Sequence, residues 1–205
     1  MKKILSLLLV VIMSCSVFAC GKKGSADSDI SLGTVVGSSY SNDYFGISCE
    51  IPDGWVYYSD KQIMELNNIT SEYLDEDVKE MMKNSQIFYD MFAVNESIGS
   101  SVSVNMEKVG SRLNGISLKE VAESQIDAIK ASYKNMGYSN VSVKYQKYNV
   151  NGKEVDGLRI TAEINDLTIY GAGIMYKKDG YIVNTSITTI GTDDIATVMS
   201  WIKLS

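Results

Sequence analysis

The chain has 205 residues, with 25 acidic and 19 basic side chains, a mean hydropathy of −0.03 and no histidine. This composition is typical of a globular protein and excludes collagen, a coiled coil and a polytopic membrane protein. The acidic balance, with a pI of about 4.8, argues against nucleic-acid binding, because neutralising phosphates requires a basic surface. Without histidine the chain cannot build Ser-His-Asp or Cys-His nucleophiles or His-ligated zinc sites.

The first nineteen residues have the organisation of a secretory signal peptide. Two lysines precede an apolar run over residues 4–13, and small residues follow it. The run is shorter than the roughly 20 residues that a permanent membrane-spanning helix needs. Removal of residues 1–19 is therefore predicted.

The end of this segment, Val17-Phe18-Ala19-Cys20, resembles the lipobox of bacterial lipoproteins. The resemblance implies cleavage before Cys20 and acylation of its thiol with chains such as palmitate. Two acyl chains give stable anchoring at about 0.8 kcal/mol per buried methylene, which predicts a mature protein on the outer face of the cell membrane. The alternative is an ordinary secretory signal cut near Ala19, which leaves a free thiol.

Residues 20–39 are predicted to contain the lipidated cysteine and a flexible tether. Gly, Ser and Asp dominate this segment and large apolar residues are few. A chain of this kind reaches about 25 Å, at about 5–6 Å × √n.

Only two of the 19 basic residues, Arg112 and Arg159, are arginines, a usage typical of AT-rich genomes such as those of many Gram-positive bacteria.

The folded domain is predicted over residues 40–205 and opens with a strand over residues 44–51. Apolar residues alternate in this strand, so Cys49 shares a face with three large apolar side chains. Cys15 leaves with the signal peptide and Cys20 is acylated, so Cys49 has no partner for an intrachain disulfide in the mature form. Its thiol is interpreted as a buried hydrophobe, since no histidine is present to activate it.

Two short helices are predicted next. Ser59 and Gln62, three residues apart, form a capping box that begins a helix over residues 61–67. The second helix covers residues 75–83 and overlaps the densest acidic patch, residues 72–80. These carboxylates are numerous enough to attract Ca²⁺, but they lack the spacing of a calcium loop and suit the positive end of a helix dipole better.

A β-hairpin follows. Residues 86–95 are apolar on both faces, which is typical of a central strand. Residues 101–108 alternate, with Val102, Val104 and Met106 on one side. The turn between the two strands is predicted near residues 97–100.

The clearest helix is predicted over residues 118–136. Ser117 and Glu120 form a capping box before it, and Gly137 ends it. Seven apolar side chains spaced three or four residues apart line one face, so the helix is expected to pack against the domain on one side only.

Four long strands and a short helix complete the chain. Asn151-Gly152 and Asp179-Gly180 are type I′ turn signals, and Asn165-Asp166 is a third turn. The turns divide this region into an antiparallel meander of strands over residues 141–150, 153–164, 167–178 and 181–190. Thr192 is then predicted to cap a final helix in which Ile202 faces inward.

The order of these elements predicts an α+β fold, with an antiparallel sheet of six to seven strands flanked by one long helix and two or three short ones. The strand Tyr44-Phe45-Gly46-Ile47, followed by Ile51-Pro52-Asp53-Gly54-Trp55 and the helices and meander above, resembles the PsbP-like fold. That fold includes the photosystem II extrinsic protein PsbP, a Ran-binding nuclear import factor and many small bacterial lipoproteins of unassigned function. The resemblance implies a single non-catalytic domain over residues 40–205 that binds other proteins. It identifies no binding residues, and the metal-binding histidines of the plant members have no counterpart here.

Two other motifs and the tyrosines have ordinary structural explanations. Ser200 and Lys203 have the Ser-x-x-Lys spacing of penicillin-binding enzymes but lack the companion elements. Gly171-Ala172-Gly173 is no dinucleotide fingerprint, and its glycines are expected to relieve crowding on the sheet. Cross-strand packing explains most of the 13 tyrosines, and the sequence does not say which of them line an interface.

These observations favour a lipid-anchored, extracytoplasmic accessory module that binds a protein or an envelope component. No catalytic residue, cofactor or metal is predicted, and the expected partners are membrane lipid, through Cys20, and an envelope protein. Two alternatives stay open. One is an envelope hydrolase or transferase that uses carboxylates or a Ser/Lys pair in a cleft, and the other is a carrier of a small ligand or metal.

Overall fold

Two antiparallel sheets organise the part of the chain that the computed structural model describes, residues 30–68, 85–110 and 115–205. The smaller sheet contains, in spatial order, β1 (Thr34–Val36), β2 (Ser39–Asn42), β3 (Ile47–Glu50) and β11 (Ile202–Leu204). The larger sheet contains, in spatial order, β4 (Val56–Tyr57), β5 (Ile87–Asn95), β6 (Ser100–Lys108), β10 (Tyr181–Ile190), β9 (Leu167–Lys178), β8 (Lys153–Ile164) and β7 (Ser139–Val150). Together with the helices, these sheets confirm the predicted α+β class.

Three helices lie in the described ranges: α1 (Asp60–Leu66), α2 (Leu118–Asn135) and α3 (Ile195–Met199). Both predicted capping boxes are present. In the box that begins α2, the Ser117 N–H donates to Glu120 Oε2 (2.8 Å), and the Glu120 N–H donates to Ser117 Oγ (3.2 Å). The predicted helix over residues 75–83, with the acidic patch at residues 72–80, lies outside the described residues.

The meander is confirmed. Strands β8, β9 and β10 have the predicted bounds, and β7 begins two residues earlier than predicted, at Ser139. Both central residues of each turn have positive φ, with values of 50° and 85° at Asn151-Gly152. This is type I′ geometry, whose twist matches that of the flanking strands and so fixes their register.

Strand β6 lies between β5 and β10 in the larger sheet, and the side chains on both of its faces are buried. Val102, Val104 and Met106 pack into the core between the sheets, as the alternation predicts. The opposite face carries Ser103 and Asn105, which are also buried. Alternation in the sequence identified the apolar face but gave no sign that the polar face is enclosed.

One predicted strand start in the smaller sheet is corrected. The strand predicted over residues 44–51 is β3, which begins at Ile47, because Gly46 has a φ of 68° and its N–H donates to the Asn42 carbonyl (2.9 Å), which forms a turn. The apolar side chains of this segment still share a buried side. Cys49 is among them, which confirms the interpretation of its thiol as a buried hydrophobe.

The final helix is shorter than predicted. It ends at Met199, and Ile202 lies in β11, where it pairs with Cys49 of β3. The cap is Asp194 rather than Thr192, since the first helical bond runs from the Val198 N–H to the Asp194 carbonyl (3.0 Å). Ile202 is buried as expected, but in a strand.

Candidate functional site

A buried carboxylate, Asp90, holds the first described residues against the larger sheet. A register shift in β5 between Tyr89 and Met91 places Asp90 at a β-bulge, a device that re-aims side chains. The carboxylate is 9% exposed and accepts hydrogen bonds from the Gly33 N–H (2.9 and 3.0 Å to its two oxygens) and from Tyr40 and Asn42. The Tyr40 hydroxyl lies 2.5 Å and the Asn42 amide nitrogen 2.8 Å from Asp90 Oδ2. We call this group the Asp90 clamp.

The clamp draws into the fold a segment that the sequence assigns to the tether. Ile30 is only 2% exposed, and β1 and β2 begin before the predicted boundary at residue 40. Packing of residues 30–39 leaves residues 20–29 as the part of the predicted tether outside the described structure.

Burial sets the protonation of the clamp. Removal from water raises the pKa of Asp90, while the hydrogen bonds from Tyr40, Asn42 and Gly33 act in the opposite direction. Burial also raises the pKa of Tyr40 well above its ordinary value, and the neighbouring Asp90 adds to the effect. The clamp is a structural device, since its acceptor atoms face donors of the same chain.

An open groove of about 670 Å³ lies between the edge strands of the two sheets. Strand β1 is at one end of the smaller sheet and β4 at one end of the larger, and both border the groove. Its remaining lining comes mainly from residues 51–60. We call it the aromatic groove, after the three aromatic side chains that line it: Trp55, Tyr57 and Tyr58.

Contacts behind these side chains hold the walls of the aromatic groove. Trp55 packs edge-to-face on Trp201, with 5.1 Å between the ring centroids, and Tyr58 packs on Phe92 at 4.6 Å. The Tyr57 hydroxyl lies 2.8 Å from the Cys49 carbonyl oxygen and so joins β4 to the smaller sheet. The walls of the groove are therefore held by contacts within the chain itself.

The rim of the aromatic groove is apolar and its charged lining is acidic. Val56 is 65% exposed and Val36, next to the lining residue Val35, is 73% exposed. Within the described ranges, the charged residues that line the groove are Asp53 and Asp60. Exposed β-branched residues on edge strands normally invite pairing with another chain.

A second opening, of about 680 Å³, lies where β7 and β8 of the larger sheet approach α3 and β11. Arg159 of β8 lines it, makes an ion pair with Asp193, and has its guanidinium 5.6 Å from the centre of the Tyr170 ring. We call it the Arg159 cleft. From the sequence, Arg159 was not predicted to belong to a site.

The Ser-x-x-Lys pair lies in this second opening. Ser200 and Lys203 both line the Arg159 cleft, but the Ser200 hydroxyl donates to the Thr197 carbonyl oxygen (2.6 Å). Among the hydrogen bonds of the described residues, none joins Lys203 to Ser200. The geometry therefore shows a shared cleft without an activated hydroxyl.

The predicted lipidation site lies outside the residues that the structure describes. Cys20 and the signal peptide precede the described ranges, so lipidation stays a prediction. Within the described ranges, no three His, Cys, Asp or Glu side chains are grouped to hold a metal ion. No helix in those ranges has the length and apolar composition needed to cross a bilayer.

Comparison with known proteins gives structural likenesses alone. No family model and no curated protein matches the sequence. Among solved structures, LpqN of Mycobacterium tuberculosis, described as involved in cell envelope biogenesis, is similar over 78% of this chain and 83% of its own, at 9% identity and a TM-score of 0.39. A Pseudomonas aeruginosa protein of unknown function, described as a putative regulator, is similar over 43% of this chain and 58% of its own, at 12% identity and a TM-score of 0.23. Neither TM-score reaches 0.5, so the PsbP-like fold stays a prediction.

Stability is expected to fall in alkali. Burial raises the pKa of Cys49 to about 11 and raises the pKa values of Tyr57, Tyr133 and Tyr176. Groups with raised pKa values contribute stability that is fully present below their unfolded pKa values, about 8.5 for Cys and 10 for Tyr, and is lost as the pH rises above them. Melting temperatures should stay constant between pH 7 and 8 and fall progressively toward pH 11. Absorbance at 295 nm, measured alongside, reports the ionisation of the tyrosines. A melting temperature unchanged between pH 8 and 11 contradicts this expectation.

Proposed function

We propose that the protein is a lipid-anchored, extracytoplasmic binding module that holds an extended segment of an envelope protein in the aromatic groove. The observation that carries this proposal is that β1 and β4, edge strands of two different sheets, border the same groove. An extended peptide binds such an edge through main-chain hydrogen bonds, and alternate side chains enter the neighbouring groove. The lipobox-like Ala19-Cys20 supports the anchor and the outward location.

The chemistry of the lining indicates the kind of segment. Trp55, Tyr57 and Tyr58 offer large, rigid contact surfaces, and aromatic side chains are enriched in protein interfaces. Asp53 and Asp60 favour a cationic partner. We therefore assign to the groove an extended segment in which apolar side chains alternate with lysine or arginine.

A matched peptide pair tests the aromatic groove. A peptide of alternating valine and lysine should bind with a Kd of tens to hundreds of micromolar, and one of alternating valine and glutamate at least about tenfold more weakly, a difference of about 1.4 kcal/mol. Fluorescence of Trp55 and Trp201, the two tryptophans of the chain, reports binding at the groove. Val56→Lys should abolish binding of the valine–lysine peptide, because it places a cation on the rim.

Leu167→Lys is the matched control for this prediction. Leu167 is another exposed apolar residue, at 42%, but it begins β9 in the turn after β8, away from the groove lining. Equal binding of the two peptides, or equal loss of binding in the two variants, contradicts the assignment of the groove.

The anchor is tested separately in cells. A photo-crosslinking residue at position 56 should capture an envelope protein that the same residue at position 167 does not capture. Cys20→Ser should release the protein from the membrane and leave peptide binding in solution unchanged. Retention of Cys20→Ser on the membrane contradicts the anchor without affecting the groove.

A further inference from the structure

The Arg159 cleft carries a net positive charge within an acidic protein. Among the described residues, the charged side chains that line it are Arg159, Lys203 and Asp193, two cations against one anion, whereas the chain as a whole has a formal charge of −6. Lys144 of β7 lies directly across the ladder from Arg159. Like charges in cross-strand positions destabilise a sheet, so an anion bound beside them relieves repulsion.

Arg159 has more donors than the described part of the chain satisfies. Its side chain is only 19% exposed, and a guanidinium carries five N–H donors. Among the described residues, Asp193 is its single acceptor, and it bonds to Nη2 alone. Asp193 is itself 50% exposed, and the Tyr170 ring contacts the guanidinium at its face. The other donors of this planar fork are available to a ligand in the cleft.

The other walls of the cleft add one polar and one apolar side. On β7, Gln146 and Asn149 present side-chain amides. Asn149 Oδ1 accepts the Gly152 N–H (2.9 Å), which leaves its NH₂ group to donate. On α3, Ile195, Ala196 and Met199 supply an apolar wall. The cleft therefore combines hydrogen-bond donors with a hydrophobic surface.

We propose that the Arg159 cleft binds a small ligand that carries one carboxylate next to an apolar group. The carboxylate lies against the guanidinium of Arg159, which pairs with carboxylates through two parallel hydrogen bonds, and the apolar group lies against α3. A single negative charge balances the net charge of the described lining residues. The volume of about 680 Å³ is within the range of small-molecule sites. This inference is independent of the aromatic groove.

Three small probes, which differ in whether they carry a negative charge and an apolar group, test the proposed ligand class. N-acetyl-leucine carries both the carboxylate and the apolar group, N-acetyl-leucinamide lacks the charge, and inorganic phosphate lacks the apolar group. Titrations followed by ¹H–¹⁵N NMR should show N-acetyl-leucine shifting the side-chain amide signals of Gln146 and Asn149, with a Kd near 1 mM or below. The amide and phosphate should bind at least about tenfold more weakly. Equal binding of the amide, or tighter binding of phosphate, overturns the proposal.

Two variants are expected to change the affinity for N-acetyl-leucine in opposite directions. Misfolding would only lower the affinity, so the pair separates binding from folding. Arg159→Lys keeps the positive charge but removes the fork, and should weaken N-acetyl-leucine binding about tenfold. Asp193→Asn removes the competing carboxylate from Arg159, and should tighten binding several-fold. A purely structural role for the ion pair predicts loss or no change in both variants, and that outcome contradicts the proposal. Leu167→Lys is the control in which affinity should not change.

Discussion

Replacing Asp90 by alanine should lower the free energy of unfolding by about 2–4 kcal/mol, a cost set by buried donors that lose their acceptor. The Gly33 N–H, the Tyr40 hydroxyl and the Asn42 amide all donate to this carboxylate. Their loss should also release the segment that begins at Ile30, because the clamp joins it to β5. Urea denaturation gives the free energy, and hydrogen exchange of residues 30–42 reports the release.

Asp43→Ala is the matched control for the clamp. Asp43 is an exposed aspartate one residue after β2, so its removal should change stability by less than about 0.5 kcal/mol. Equal effects of the two substitutions contradict the role given to Asp90.

The pH dependence gives the clamp a second signature. Because burial raises the pKa of Asp90, the folded state binds its proton more tightly than the unfolded state does. The contribution of Asp90 to stability is therefore largest below the ordinary carboxyl pKa and decreases as the pH rises to the folded pKa. The stability advantage of the wild type over Asp90→Asn should increase as the pH falls from 7 to 4. A decrease in this advantage from pH 7 to pH 4 contradicts a raised pKa for Asp90.

Gly157→Ala is expected to destabilise the larger sheet by about 3 kcal/mol or to prevent folding, which is the range of severe overpacking. A Cβ atom on Gly157 would lie 2.2 Å from the Gly173 carbonyl oxygen and 3.0 Å from the Tyr148 ring. The carbonyl belongs to the backbone of the neighbouring strand β9, so it cannot move away without disrupting the ladder. Thermal and urea unfolding of the purified variant measure the effect.

Gly171→Ala is the graded comparison for this substitution. Its Cβ would meet the Ile160 Cβ at 3.1 Å, a tight contact with a side chain that small shifts relieve. We expect a loss smaller than that of Gly157→Ala. If Gly157→Ala is within about 0.5 kcal/mol of the wild type, the sheet is more adaptable than the close approach indicates.

Local signals explain why much of the larger sheet could be predicted. A type I′ hairpin turn requires positive φ at two successive positions, which the dipeptides Asn151-Gly152 and Asp179-Gly180 adopt readily, so they indicate where the strands end. The capping box at Ser117 likewise fixes the start of α2. In each case the information lies within a few residues of the structure it specifies.

The smaller sheet and both openings depend on contacts between distant parts of the chain. Strand β11 has three residues and pairs with β3, more than 150 positions earlier, so no local pattern distinguishes it from the end of a helix. The groove between β1 and β4 exists only after two sheets are assembled. Weak signals were nevertheless present. Asp90 interrupts an apolar strand, and Arg159 lies between Leu158 and Ile160 in another.

The Asp90 clamp lies where tension on the N-terminal segment would enter the described fold. If Cys20 is anchored in the membrane and a partner is bound, as we propose, a pulling force enters at Ile30 and reaches the Gly33 N–H that Asp90 holds before it loads the larger sheet. Loss of the bonds to Asp90 and of those between β1 and β2 would free residues 30–38, which extend to about 30 Å at about 3.3–3.6 Å per residue, while β2 stays paired with β3. Under that proposal the clamp is the first part of the domain to yield, and the larger sheet stays folded as the module stretches from the membrane surface.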